Sequence, residues 1–411
     1  MTARLSNALI AIGFLPILII PTLYTFQRSI ILVISMLLGI AYLFSTKQKI
    51  KISTTYPILF LLLQSIFLVP IIVGIYNNLP GATSFFNVFI LYPIFYFILS
   101  ILLIRQILVL EKFLLISLVA NIILAIFLSA SGFLFPEIWE VLNENVIYNG
   151  NFGAGVNEIG MPEYVILGLV SLLYGSIFYI YKNLFSMVFT KSFSLCLVVK
   201  IILCIIVIFL SGQRAYLLAL FLTICLTFFI SIIYCYKKNI FIKIKYFKYL
   251  FSFIAISMPV FFYFIYNILL SELDLVSSAV DLRSMQVEMF NTVANSHGFF
   301  GSGFGYVGEL TRSEDMPWAY EVSYHLLLGS MGVIFFSMLI LVSLIIFINS
   351  FIKIVSHTDY FINFFPHILA LISILIISAF NPFLFKFDVL WVFFLPIISW
   401  ASIKNGYKYG S

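Results

Sequence analysis

A polytopic, all-α membrane protein is the fold class this sequence predicts, on three observations. First, 63% of its 411 residues are hydrophobic and 9% are charged, where a soluble domain carries roughly 25% charged residues. A water-soluble fold cannot bury that much apolar surface, and a disordered chain needs the opposite composition. Second, the apolar residues gather into runs of about 20, the length that crosses the hydrocarbon core of a bilayer. Third, the Lys and Arg residues between the runs alternate in density from one side to the other, as a membrane topology requires.

Hydrophobic runs fall at 8–25, 29–46, 56–76, 85–104, 113–135, 164–182, 193–211, 215–236, 249–270, 322–348, 362–380 and 387–403, which predicts about twelve spans. The first run lacks a small-residue cleavage site and reads as a retained helix instead of a signal peptide. Only Gln27 and Arg28 mark the break between the first two runs. The runs are too long, and too poor in polar alternation, to be the strands of a barrel wall. With the N-terminus inside, sixteen of the 22 Lys and Arg residues fall on the inner side, and both termini are expected to be cytoplasmic. The net charge of +6 is therefore a topology signal and not a nucleic-acid signal. The chain reads as a single membrane unit over residues 1–411, with two enlarged outer loops at 136–163 and 271–321. The basic stretch at 237–248 reads as an anchor to anionic lipid. The four cysteines lie in apolar runs and imply no disulfide framework.

Several familiar chemistries have no residues here. No phosphate-binding loop with Lys and Ser or Thr is present, and no His, Asp or Glu set has metal-ligand spacing, so neither nucleotide nor metal is expected as a cofactor. Gly301-Ser302-Gly303-Phe304-Gly305 follows no βαβ unit, so the glycines read as a loop folding close to the membrane surface.

The outward charges are more informative. Four of the five outward basic residues are Arg, whereas fourteen of the sixteen inner ones are Lys. Topology needs only positive charge, but a guanidinium fork grips phosphate through two parallel hydrogen bonds. Arg214, after Gly212 and Gln213, stands at the start of the eighth run, near the depth of a phosphate, where the helix N-terminus also favours an anion. A simpler role is snorkelling to lipid headgroups. Arg283 opens an amphipathic stretch in which Leu282, Met285, Met289 and Val293 repeat at helical spacing, and Arg312 follows in the same loop. Glu321 and His325, four apart around Tyr324, mark the return into the tenth run. A carboxylate entering an apolar helix is costly unless partnered or functional, and such a group can serve as a general base. The plainer alternative is a carboxylate at a helix N-terminus with His325 packed between helices. Lys200, inside the seventh run, reads as snorkelling inward.

The Ser211-Gly212-Gln213-Arg214 turn and the series Arg283, Gly301 to Gly305, Glu321, Tyr324 and Gly332, with this topology, resemble bacterial O-antigen polymerases of the Wzy type and the related O-antigen ligases. The motif matches run from about 193 to 335. The resemblance implies a metal-independent glycosyltransferase in the bacterial inner membrane, with its site facing the periplasm. It would polymerise repeat units carried on undecaprenyl diphosphate, among membrane lipids and beside a chain-length regulator. Arg214 and Arg283 would then stabilise the diphosphate leaving group. Glu321, at the position eleven before Gly332, would accept the proton of the attacking hydroxyl, with His325 as the other candidate base. Gln213, Tyr216, Arg312 and Tyr324 would contact substrate. The ligases carry a His-Asn-like pair where Glu321 stands, and that departure favours polymerase. A ligase transferring finished glycan to a lipid A-core, and a flippase or other transporter, are the alternatives.

Overall fold

In the computed structural model the described residues are 55–134, 152–156, 162–166, 169–190, 195–210, 214–238, 279–308, 322–379 and 389–405, with isolated positions besides. The runs expected at 8–25 and 249–270 lie outside them, and the run at 29–46 is described only at scattered helical positions. Ten longer helices and one hairpin follow in chain order among these residues, besides a short 3₁₀ turn at Ile104–Gln106. They are α1 (Thr55–Tyr76), α2 (Ala82–Leu103), α3 (Ile107–Leu134), β1 (Phe152–Val156), β2 (Pro162–Ile166), α4 (Leu169–Thr190), α5 (Leu195–Leu210), α6 (Arg214–Lys237), α7 (Ala279–His297), α8 (Ser323–Ser356), α9 (Tyr360–Ile377) and α10 (Trp391–Lys404). Five of them, α1, α2, α6, α8 and α9, are long and apolar enough to cross a membrane, so this is a helical membrane protein.

Two helices carry a widened turn for the same reason. The π-turn Asn87–Leu91 in α2 directly precedes the segment with Pro93 in its first turn, and the π-turn Tyr360–Phe364 in α9 precedes the segment with Pro366. A proline donates no backbone hydrogen bond and its ring crowds the preceding turn, so the helix opens just before it.

The antiparallel hairpin, with Phe152 opposite Ile166 and Ala154 opposite Tyr164, lies in and just beyond the first large loop. It takes 164–166 out of the sixth expected span. That span begins instead at Leu169 and runs on to Thr190. Tyr164, Val165 and Ile166 are apolar, which is what made them look like the start of a span, but β-branched and aromatic residues also favour strands. Other shifts matter more. α3 begins at Ile107 and not at 113, which brings Glu111 and Lys112 into the helix. α8 continues to Ser356, two turns beyond its expected end.

Side-chain contacts define the two ends of the bundle. Tyr234 meets Thr358, Lys237 meets Ser356, and Tyr360 packs on Trp400. That end collects the last turns of α6, α8 and α10, with Lys237, Lys353 and Lys404. At the opposite end Tyr324 near the start of α8 meets Leu375 near the end of α9. α6 and α8 therefore begin together at the end away from these lysines. A large core of α2 to α6, α9 and α10 packs around Tyr174, Phe178 and Phe365, and a smaller one joins α1, α2, α7 and α8 around Phe290 and Phe304. Much of α8 is outside both. Val333, Leu341, Leu344 and Ile348 are exposed along it, a face suited to lipid and not to water.

Candidate functional site

The second large loop is stitched into the helices. It begins with α7, a helix where one was expected, but the face it buries is that of Gln286, Phe290 and Val293 and not the expected stripe through Met285. Phe290 and Val293 are buried, Met289 is half-buried and Met285 is exposed. After α7 the glycine-rich segment reaches between α1 and α8. Ser302 N–H donates to Gly329 O and Gly303 N–H to Ser330 O, both at 3.0 Å, while Phe304 N–H donates to Pro70 O at 3.1 Å. From α8, Ile334 N–H returns a bond to Phe299 O at 3.2 Å.

These bonds are possible because α8 is broken at Gly332, with φ 68 and ψ 174. That region is essentially open to glycine alone. The break frees carbonyls at Gly329 and Ser330 and an N–H at Ile334, and the loop supplies their partners. Irregular backbone among membrane helices is tolerated only where protein or water satisfies it. Gly303, at φ 87, lies so close to the backbone of Val73 and Gly74 that a Cβ has no room. The glycines were expected to let the loop lie near the membrane surface. Their observed role is to let backbone cross backbone inside the bundle.

Beyond the glycines the loop is held by aromatic contacts. Phe290 packs edge-on against Tyr320 at 4.8 Å between ring centres, and Gly308 N–H donates to the Tyr320 hydroxyl at 2.7 Å. Burial pushes the Tyr320 hydroxyl above its ordinary pKa, so it stays neutral as a partner for that N–H. Gln286 Nε2 donates to Leu310 O at 3.3 Å.

Several of the residues singled out in the sequence come to this one end. α6 starts at Arg214, as expected, although the side chain lies outside the described residues. Arg283 is half-buried in the second turn of α7 and engaged in an interaction of its own. His325 is half-buried in the first turn of α8. Gln213, Arg312 and Glu321 lie outside the described residues. Helix α8 begins at Ser323, with Val322 as its cap residue in a non-helical conformation. Two expected substrate contacts are occupied with packing. Tyr216 is 1% exposed in the large core, and the Tyr324 hydroxyl donates to Leu375 O at 2.6 Å.

A second polar cluster lies toward the lysine-rich end, and the sequence reading passed over it. Glu111 of α3 is ion-paired with Lys182 of α4 through one carboxylate oxygen, and its other oxygen is 3.3 Å from His367 Nε2 of α9. His367 Nδ1 is 3.0 Å from the Tyr174 hydroxyl of α4. The Tyr179 hydroxyl donates to the Glu111 backbone carbonyl at 2.5 Å. Glu111 is 5% exposed and His367 fully buried. Placing the fifth span from 113 left Glu111 in a basic connection with Arg105 and Lys112, where a single acid attracts no notice. The available signal was that Glu111 and Asp359 are the only acids on the side expected to be basic.

Neither the family models nor the curated proteins nor the solved structures compared with this chain give a match.

Proposed function

We propose that this chain is a metal-independent membrane glycosyltransferase that polymerises undecaprenyl-diphosphate-linked O-antigen repeat units at the periplasmic face of a bacterial inner membrane. The observation that carries the reading is a shared end of the bundle. The N-termini of α6 and α8, the second turn of α7 with Arg283, and the seated loop all belong to the end of the bundle away from the lysines. Two helix N-termini and two arginines favour an anion such as a diphosphate. By the positive-inside rule the lysine-rich end is cytoplasmic, which leaves this end outside. In the reaction a sugar hydroxyl on one lipid-linked unit attacks the anomeric carbon of another and the carbon–oxygen bond to diphosphate breaks. Arg214 and Arg283 take up the charge that develops on the leaving group. Glu321, or His325 in the first turn of α8, takes the hydroxyl proton.

The test is reconstitution. Purified protein in liposomes, supplied with lipid-linked repeat units, should produce a ladder of longer lipid-linked glycans. Transfer only to added lipid A-core would make it a ligase, and movement of the unit across the bilayer without elongation would make it a flippase. The transporter reading has one specific observation in its favour, the ionisable cluster of Glu111, Lys182 and His367 among the helices, because buried charge in a membrane protein is costly and marks ion or proton pathways.

A further inference from the structure

The geometry of Glu111, Lys182, His367 and Tyr174 specifies a charge state. A carboxylate can only accept, so the 3.3 Å contact from His367 Nε2 to Glu111 Oε1 requires a proton on Nε2. The Tyr174 hydroxyl, 3.0 Å from Nδ1, can then donate to a bare Nδ1. With Glu111 ionised and Lys182 charged, a neutral imidazole satisfies each of these partners and leaves no net charge in the cluster. A second proton on His367 would add an uncompensated charge among helices, unless another cation left.

Lys182 is the cation able to leave. Its side chain is 21% exposed, against 5% for Glu111 and none for His367. The ring of Phe178 is near both bases. His367 stacks on it at 4.2 Å, and Lys182 Nζ sits 5.2 Å from its centre. An aromatic face attracts a cation on either group. Among the described residues, the other ionisable groups whose contacts with this cluster are known bring no compensating charge. Tyr179 of α4 is bonded to the Glu111 carbonyl, Cys204 of α5 lies by Tyr179, and Lys112 on α3 is exposed. From α6, Tyr234 meets Thr358, Tyr216 is packed in the core, and Thr223 takes the hydroxyl of Tyr181 from α4; α10 contributes Trp391, packed on Tyr174.

We propose that this cluster is a proton-exchange site, in which Lys182 and a second proton on His367 alternate as the charge that neutralises Glu111. When Lys182 swings out, a hydronium ion gives its proton to the Tyr174 hydroxyl as that hydroxyl passes its own proton to Nδ1, and departs as water. The Tyr174 hydroxyl turns from donor to acceptor, and Nε2–H keeps its bond to Glu111. When Lys182 returns, the proton leaves by the reverse steps. The site joins α3, α4 and α9, so proton binding is tied to how α4 packs. This inference stands apart from the polymerase reading and survives its failure.

The experiment uses the full chain in lipid nanodiscs with ring-labelled histidine, reading the side-chain nitrogen resonances at neutral pH, with His367→Gln to assign the signal. In the unmutated protein His367 should be neutral with its proton on Nε2. In Lys182→Met it should become an imidazolium, and in Lys182→Met combined with Glu111→Gln it should be neutral again. A neutral His367 in Lys182→Met, or an imidazolium already present in the unmutated chain, overturns the proposal. Should Lys182→Met fail to fold, the unmutated chain supplies the second readout. As the pH falls, acylation of Lys182 relative to exposed Lys112 should rise in step with the His367 imidazolium, and labelling that stays flat through that transition overturns it equally.

Discussion

The seat of the glycine-rich loop can be probed by three alanine substitutions that separate backbone strain from steric exclusion. Gly298 has φ 59 and open space where a Cβ would go, so Gly298→Ala bears strain alone, about 1–2 kcal/mol. Gly74 lies within α1, and its added Cβ would meet the Phe304 carbonyl, so Gly74→Ala bears exclusion alone. Gly303→Ala bears both, with φ 87 and the α1 backbone against it. If the loop leaves its seat, the bonds from Ser302, Gly303 and Phe304 to Gly329, Ser330 and Pro70 are lost. Three orphaned buried groups at about 1–3 kcal/mol each come to roughly 3–9 kcal/mol. The expected order of destabilisation is Gly303→Ala, then Gly74→Ala, then Gly298→Ala, with the first two well separated from the third. Thermal unfolding midpoints in detergent, followed by tryptophan fluorescence, provide the measurement. If Gly303→Ala is no less stable than Gly298→Ala, the loop is not seated between α1 and α8 as described.

Arg214→Ala should abolish glycan elongation by the reconstituted protein while insertion is normal, and Arg214→Lys should remain poor because a point charge cannot replace the guanidinium fork; full-length ladders from the Ala variant would remove Arg214 from the site. Arg283→Ala should show the same defect more weakly in that assay. Glu321→Gln should lose nearly all turnover yet still bind lipid-linked donor, whereas His325→Ala should retain measurable turnover, and the reverse pattern would give the base role to His325. Tyr324→Phe should lower stability by about 1 kcal/mol through its bond to Leu375, with turnover close to normal; a large loss of turnover at unchanged stability would show that the hydroxyl serves the substrate. Elongation should persist in excess EDTA, and its loss and rescue by magnesium or manganese would mean that a metal takes part.

Much of the helical layout is legible in the sequence because its cause is local. A run of apolar residues must bury its backbone polar groups in a helix wherever it meets lipid, so α1, α2, α6, α8 and α9 start and stop within one or two turns of the expected positions. The helical spacing over 282–293 likewise places α7, although the face it buries runs through Gln286 and Phe290 and leaves Met285 exposed. Arg214 at the head of α6 could be read for the same reason, since the polar Ser-Gly-Gln turn cannot continue the apolar run. What the sequence conceals depends on contacts across long separations. The break at Gly332 leaves the apolar pattern of α8 intact, and only the arrival of Gly301 to Phe304, some 30 residues earlier, makes it affordable. Tyr216 and Tyr324 look like polar hydroxyls on helix faces, and tertiary packing alone assigns one to the core and the other to a carbonyl on α9. Glu111, Lys182 and His367 are separated by 71 and 256 residues from the carboxylate to its two partners. Composition alone determines that this chain belongs in a membrane, because the cost of exposing apolar surface to water is additive along the chain. Which charges meet inside it is decided by folding, because a buried charge is tolerable only where another segment brings its partner.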